Sequence, residues 1–271
     1  MNLGEIRDKN IFDGYDILDA SSKTAQEVIL FKIAKSALSK NVTIKGGVII
    51  QYLSQDRRRA TRDFDLDFIR FSLTDDSIRT FIEVLNNADD GVTISIVAPI
   101  TELKHQDYHG KRVLIELDDR FGNKIGTKLD IGIHSKVDIE QEEYCFELNN
   151  INDNVTLLIN SKEQMIAEKL ASLLKLGRFS TRYKDLFDIY YFITASNLDK
   201  IKLAGCINEI ILESEDMKEQ CIDDIILRLD GIFQSKAYLR KANTSNNNWI
   251  EIPISEVTAK ILTYFGECLE N

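Results

Sequence analysis

Residues 63–68 read Asp-Phe-Asp-Leu-Asp-Phe, an unbroken alternation of acidic and apolar side chains. Alternation with a period of two is a strand signature, because successive side chains point to opposite faces. The pattern predicts a strand over 63–71 with Phe64, Leu66 and Phe68 turned into a core. Asp63, Asp65 and Asp67 then share the other face at about 6.5–7 Å spacing. Like charges on one face repel, and folding gains nothing from them. A hard divalent cation would relieve the repulsion, since Mg²⁺ accepts one or two carboxylates together with phosphate oxygens. A lone Asp-x-Asp is equally compatible with an edge strand whose acidic face is solvated.

The surroundings of that strand add context. Lys45-Gly46-Gly47 follows a short β-branched strand, 42–44, and precedes a short helix over 48–53. A glycine pair there lets an anion approach the N–H groups of a helix N-terminus, although it also serves as a plain turn. Next come Arg57, Arg58, Arg59 and Arg62, four arginines in six residues. They form either a local anion site or a solvated loop that offsets nearby aspartates. Asp130 lies inside a further predicted strand, 128–133, which an adjacent position could bring beside the first carboxylates. Three carboxylates from two strands would make a metal site able to clamp the attacking and leaving oxygens of phosphoryl transfer; a strand-end aspartate facing water is the alternative.

Helical periodicity predicts helices over 21–40 and 75–85, with strands over 92–97, 112–117 and 144–148. From Ser161 the pattern becomes helical, over 161–176, 182–195, 198–213, 217–233 and 256–269, and 241–248 reads as a loop. Ser161 with Gln164 forms a capping box and Gly177 a C-cap. With only 2 prolines among 271 residues, long elements are unbroken. The expected fold class is α+β: a mixed sheet with flanking helices in a domain over 1–150, then a helical domain over 151–271 that completes an active-site cleft. The asparagine-rich run 149–154 is read as the junction.

Composition excludes several classes. Lys and Arg total 34 against 44 Asp and Glu, a net charge of −10, which does not suit a general nucleic-acid coat. With 44% hydrophobic and 29% charged residues, the chain is no disordered tail. Residues 1–10 carry Glu5, Arg7, Asp8 and Lys9 and no apolar stretch, so no secretory leader is expected. The longest charge-free apolar runs, about ten residues, are too short to span a bilayer. Cys145, Cys206, Cys221 and Cys268 lack Cys-x-x-Cys spacing and are expected as reduced, mostly buried thiols. His105, His109 and His134 fit no zinc pattern. A cytoplasmic location is expected.

The ordered set Gly46-Gly47, then Arg59-Ala-Thr61-Arg-Asp63-Phe-Asp65, resembles the minimal nucleotidyltransferase fold. Glu163-Gln-Met-Ile-Ala167-Glu168-Lys169-Leu and Arg182-Tyr-Lys184-Asp185-Leu-Phe-Asp188 narrow the resemblance to the AbiEii-type nucleotidyltransferase toxins of type IV toxin–antitoxin and abortive-infection systems. The resemblance covers roughly residues 25–195. It implies that Asp63, Asp65 and Asp130 hold Mg²⁺ against a nucleoside triphosphate and that Asp185 completes the catalytic set. It further implies that Gly46, Gly47, Arg59, Thr61, Lys169 and Arg182 bind the nucleotide. Gly47 stands where the founding toxins often carry serine, so a hydroxyl is missing there. The implied reaction moves a nucleoside monophosphate to an acceptor hydroxyl of RNA, tRNA in particular, with a cognate antitoxin as partner and no membrane.

The helical blocks have local readings too. Lys169 lies at the flank of its helix's apolar stripe, and Glu168 points to solvent. Arg182 lies near the buried face of the next helix, with Asp185 as an i,i+3 partner and Lys184–Asp188 as an i,i+4 pair. The arginine loop and a patch of Lys175, Arg178, Arg182 and Lys184 are candidates for holding an RNA backbone. Two other functions stay open: a small-molecule, antibiotic-type nucleotidyltransferase, and a non-catalytic nucleotide-binding scaffold.

Overall fold

The alternating segment forms an interior strand. The computed structural model describes residues 1–103, 110–134 and 139–268, and the chain divides into two compact units, 1–160 and 161–271. The first unit runs α1 (Leu3–Phe12), α2 (Ile17–Lys35), β1 (Val42–Lys45), α3 (Gly47–Ser54), a 3-10 turn at Arg57–Arg59, β2 (Phe64–Phe68), α4 (Asp75–Leu85), β3 (Val92–Ile96), β4 (Thr101–Glu102), β5 (Lys111–Asp119), β6 (Lys124–Ile133), β7 (Glu142–Leu148) and β8 (Asp153–Ile159). Its eight strands make one mixed sheet in the order β3-β5-β6-β2-β1-β8-β7, with β4 paired to β5. β2 lies parallel to β6 and antiparallel to β1, so both of its edges are hydrogen-bonded. That excludes the solvated edge strand.

Phe64, Leu66 and Phe68 are fully buried, as the alternation requires. The acidic face departs from expectation at both ends. Asp63 precedes β2. Asp67 is buried, and Lys45 Nζ from β1 lies 2.7 Å from its carboxylate. Helices α2 and α4 pack beside the sheet, and α3 packs on β1 and β2. The α2 helix begins before residue 21 because the Asp16 side chain accepts from the Leu18 and Asp19 N–H groups, a cap that sets the first turn earlier. It stops at Lys35 because Ser36 is extended, with its own Oγ turned onto the Ile33 carbonyl.

The asparagine-rich run turns a β-hairpin, with Asn152 in the left-handed region at φ 59°. Strand β8, which sequence reasoning passed over, follows at once and pairs in parallel with β1. Val155, Leu157 and Ile159 face the core along it.

The second unit holds α5 (Lys162–Leu176), α6 (Tyr183–Ala195), α7 (Lys200–Ile207) running into a π-helical turn at Asn208–Leu212, α8 (Ile222–Phe233), α9 (Lys236–Ala242) and α10 (Ile254–Cys268). Ser161 Oγ caps α5 by accepting from the Gln164 N–H, and Gly177 ends it at φ 56°. Helix α8 starts later than expected because Cys221 is extended, and α9 occupies residues with no predicted element. Cys206 is buried, but Cys145 and Cys221 are exposed, which corrects the expectation of mostly buried thiols. His105, His109 and the Cys268 side chain lie outside the described residues. No helix among the described residues is long and apolar enough to cross a membrane.

A buried ion pair ties α2 to the chain just before β3. Lys32 on α2 is wholly buried, and its Nζ sits 2.9 Å from the Asp90 carboxylate just before β3. Asp90 also accepts from the Val92 N–H at 2.9 Å. Removing one member strands the other charge in the core. Lys32→Met is therefore expected to lower unfolding free energy by about 3–5 kcal/mol in denaturant titration.

Candidate functional site

Four strands bring four charged residues into one row. Lys45 of β1 lies opposite Asp65 of β2, Asp65 beside Asp130 of β6, and Asp130 opposite Arg112 of β5. Residues directly opposite one another in a sheet point to the same face, so the row reads plus, minus, minus, plus. Parallel pairing of β2 with β6 thus joins the two strands that the sequence singled out separately.

Arg112 was missed by sequence reasoning, and it meets Asp130 as a two-pronged fork. Nε donates to Oδ1 and Nη2 to Oδ2, each at 2.7 Å. Asp130 is 4% exposed and Arg112 38%. The hydrogen bonds to Asp130 push the guanidinium pKa up, and the negative charges of Asp130, Asp63 and Asp65 add to that. So the Arg112 head feels all three carboxylates named from the sequence. Its signal was present: a turn at 119–123 between two strands sets an antiparallel register, and counting outward places residue 112 opposite 130.

Asp63 is half exposed and pairs with Lys128 of β6 at 2.8 Å. Gly46 stands against Asp65. It adopts φ +71°, and a Cβ built there would lie 2.4 Å from Asp65 Oδ2. Both conformation and contact demand glycine at this position. A Cβ on Gly47 would meet Thr61 Oγ1 at 2.8 Å, so the Thr61 side chain and the start of α3 are in close contact. Gln26 of α2 anchors that loop by donating to the Thr61 carbonyl at 2.8 Å. Gly46, Gly47, Thr61, Asp63, Asp65 and Asp130 are thus held by one sheet and the loops at its ends.

The arginine loop is engaged locally. Asp56 caps the 3-10 turn and takes the Arg58 fork, Arg57 donates to the Asp13 carbonyl, and Arg62 pairs with Asp19 at 2.7 Å. Arg59 is buried. Arg58 and Arg62 are thus offset by Asp56, Asp16 and Asp19.

In the second unit, Lys169 on α5 is paired with Asp185 and Asp188 on α6. Asp188 is wholly buried and accepts from the Trp249 indole N–H at 3.0 Å. Four expectations are corrected. Asp188 is no surface partner on the outer side of its helix, and Arg182 is exposed at the residue before α6 and not near its buried face. Asp185 binds Lys169, which replaces the expected i,i+3 pair. Glu168 is half-buried and accepts from the Gln164 amide at 2.9 Å.

Residues 28–247 match the family described as nucleotidyl transferase AbiEii toxin, type IV TA system. The chain belongs to the AbiEii nucleotidyltransferase toxin family. As an AbiEii member it is a nucleotidyltransferase, with the mixed sheet, flanking helices and helical C-terminal part expected from its sequence. A crystal structure of an antigenic nucleotidyltransferase-like protein from Paracoccidioides brasiliensis is similar to it at 19% identity and a TM-score of 0.48, over 82% of this chain and 91% of that one. No curated protein matches the chain.

Among the described residues of this AbiEii chain, no group of three or more His, Cys, Asp and Glu side chains is arranged as a ready metal-ligand set. The donor chemistry nonetheless fits a hard divalent cation: Asp65 and Asp130 are cross-strand neighbours, Asp63 lies two residues from Asp65, and all three act on one cationic head.

Two outcomes are expected. Gly46→Ala should lower stability by about 1–3 kcal/mol through its positive φ, and it should abolish transfer because Asp65 must move. Thermal melts and activity read these effects separately. Trp249→Phe should cost about 2 kcal/mol in unfolding free energy, since a buried carboxylate loses a hydrogen bond.

Proposed function

We propose that the protein transfers a nucleoside monophosphate from a nucleoside triphosphate to an acceptor hydroxyl, with Mg²⁺ as cofactor, tRNA or another RNA as acceptor, and growth arrest as the result. The observation that carries the chemistry is the Asp65–Asp130 adjacency across β2 and β6, with Gly46 against Asp65. The backbone N–H groups where Gly46 and Gly47 open α3 would face a phosphate of the triphosphate. Asp63, Asp65 and Asp130 would hold the cation. A divalent cation bound there neutralises triphosphate oxygens and charge developing on the leaving pyrophosphate. Asp130 is the candidate to accept the acceptor hydroxyl's proton.

Catalysis is then chiefly positioning and charge neutralisation at phosphorus. The roles of Arg59, Thr61, Lys169, Arg182 and Asp185 rest on the family resemblance. Lys169 itself is paired with Asp185 and Asp188, so a nucleotide would compete with those carboxylates for its ammonium. The RNA acceptor, the cytoplasmic location and the cognate antitoxin also rest on the family. The arginine loop lends the RNA reading little, because its charges are held by adjacent groups.

The test supplies each α-labelled nucleoside triphosphate with Mg²⁺ and total bacterial tRNA, beside Asp65→Ala. Label is expected on RNA from one nucleotide, with at least a hundredfold loss in the variant. Mg²⁺-dependent nucleotide binding without RNA labelling would move the acceptor to another molecule. Absence of both would overturn the reading.

A further inference from the structure

We propose that Arg112 is the resident counter-ion of the aspartate cluster and sets the threshold for divalent-cation binding. It holds Asp130 while no cation is present and gives the carboxylate up when one enters. The inference rests on the reading that Asp63, Asp65 and Asp130 receive the cation.

Three observations support it. Both oxygens of Asp130 are engaged by the Arg112 fork at 2.7 Å, so a cation that coordinates Asp130 must displace or share those hydrogen bonds. Asp130 is buried and stands beside Asp65 in the parallel register, an arrangement of like charges that needs a positive partner. Arg112 is more than one-third exposed and has water to swing into, whereas Lys45 is held against Asp67 in a buried pair. An arginine suits this task because it stays charged at every relevant pH. Its release therefore follows competition by charge, not deprotonation. The neighbouring cations pair elsewhere as well: Lys45 with buried Asp67, and Lys128 with Asp63 at the exposed end.

The experiment measures Mn²⁺ binding to the full chain without nucleotide, by the loss of the free-ion paramagnetic resonance signal. Melting temperature is followed over the same titration. Arg112→Gln should bind Mn²⁺ at least tenfold more tightly than wild type. It should melt lower without metal and recover more than wild type as Mn²⁺ is added, because a ligand that binds the folded state stabilises in proportion to its affinity. If the glutamine variant does not fold, Arg112→Lys keeps the charge and loses the fork, and an intermediate gain in affinity is expected. Equal or weaker Mn²⁺ binding by the folded variants, with wild type binding measurably, would overturn the counter-ion role and leave the cation site standing. If wild type and variants bind no Mn²⁺ even with nucleoside triphosphate present, both the inference and the cation site fall.

Discussion

Two carboxylates in register on neighbouring strands are the constraint around which the first unit is arranged. Asp65 and Asp130 meet because β2 and β6 run parallel with residue 65 beside residue 130. A sheet interior gives such a pair little water, so the charges must be met by protein groups or by a ligand. Arg112 meets Asp130 from β5, and Lys45 arrives from β1 to meet Asp67 one pleat along the same face. The glycine at position 46 follows from the same geometry, since any side chain there would collide with Asp65. Sheet order, strand direction and glycine placement are thus linked through a few charged side chains.

The second unit repeats the principle with helices. Asp188 is buried without solvent and is satisfied by two donors from distant parts of the chain, the Lys169 ammonium and the Trp249 indole. Asp185, one helical turn earlier, shares the same lysine. A lysine held between two carboxylates keeps a defined direction at low entropic freedom. Trp249 lies just beyond the residues, 28–247, that match the family.

Much of this was open to inspection along the chain. The alternation over 63–68 located β2 and its buried face, helical periodicity located α4, the capping residues Ser161 and Gly177 located α5, and ordered motifs named the family. Elements went astray where one strong local cue masked another. The asparagines at 149–154 resembled a junction and hid the strand after them. Asp16 was not recognised as a cap, so α2 was started too late. The arginine run was left open between an anion site and a charge-offset loop, because two of its partners, Asp16 and Asp19, lie some forty residues upstream.

Periodicity and motif order are local properties, and they suffice for strand, helix, buried face and family. Pairing is not local. That Asp130 is buried under Arg112, that Asp67 belongs to Lys45, and that Asp188 is satisfied by Trp249 all depend on which strand or helix comes to lie alongside. Those choices emerge only when hydrophobic faces close against each other and every buried charge must find an opposite charge or a hydrogen-bond donor. The chain order singled out candidate carboxylates; tertiary packing decided what holds each of them.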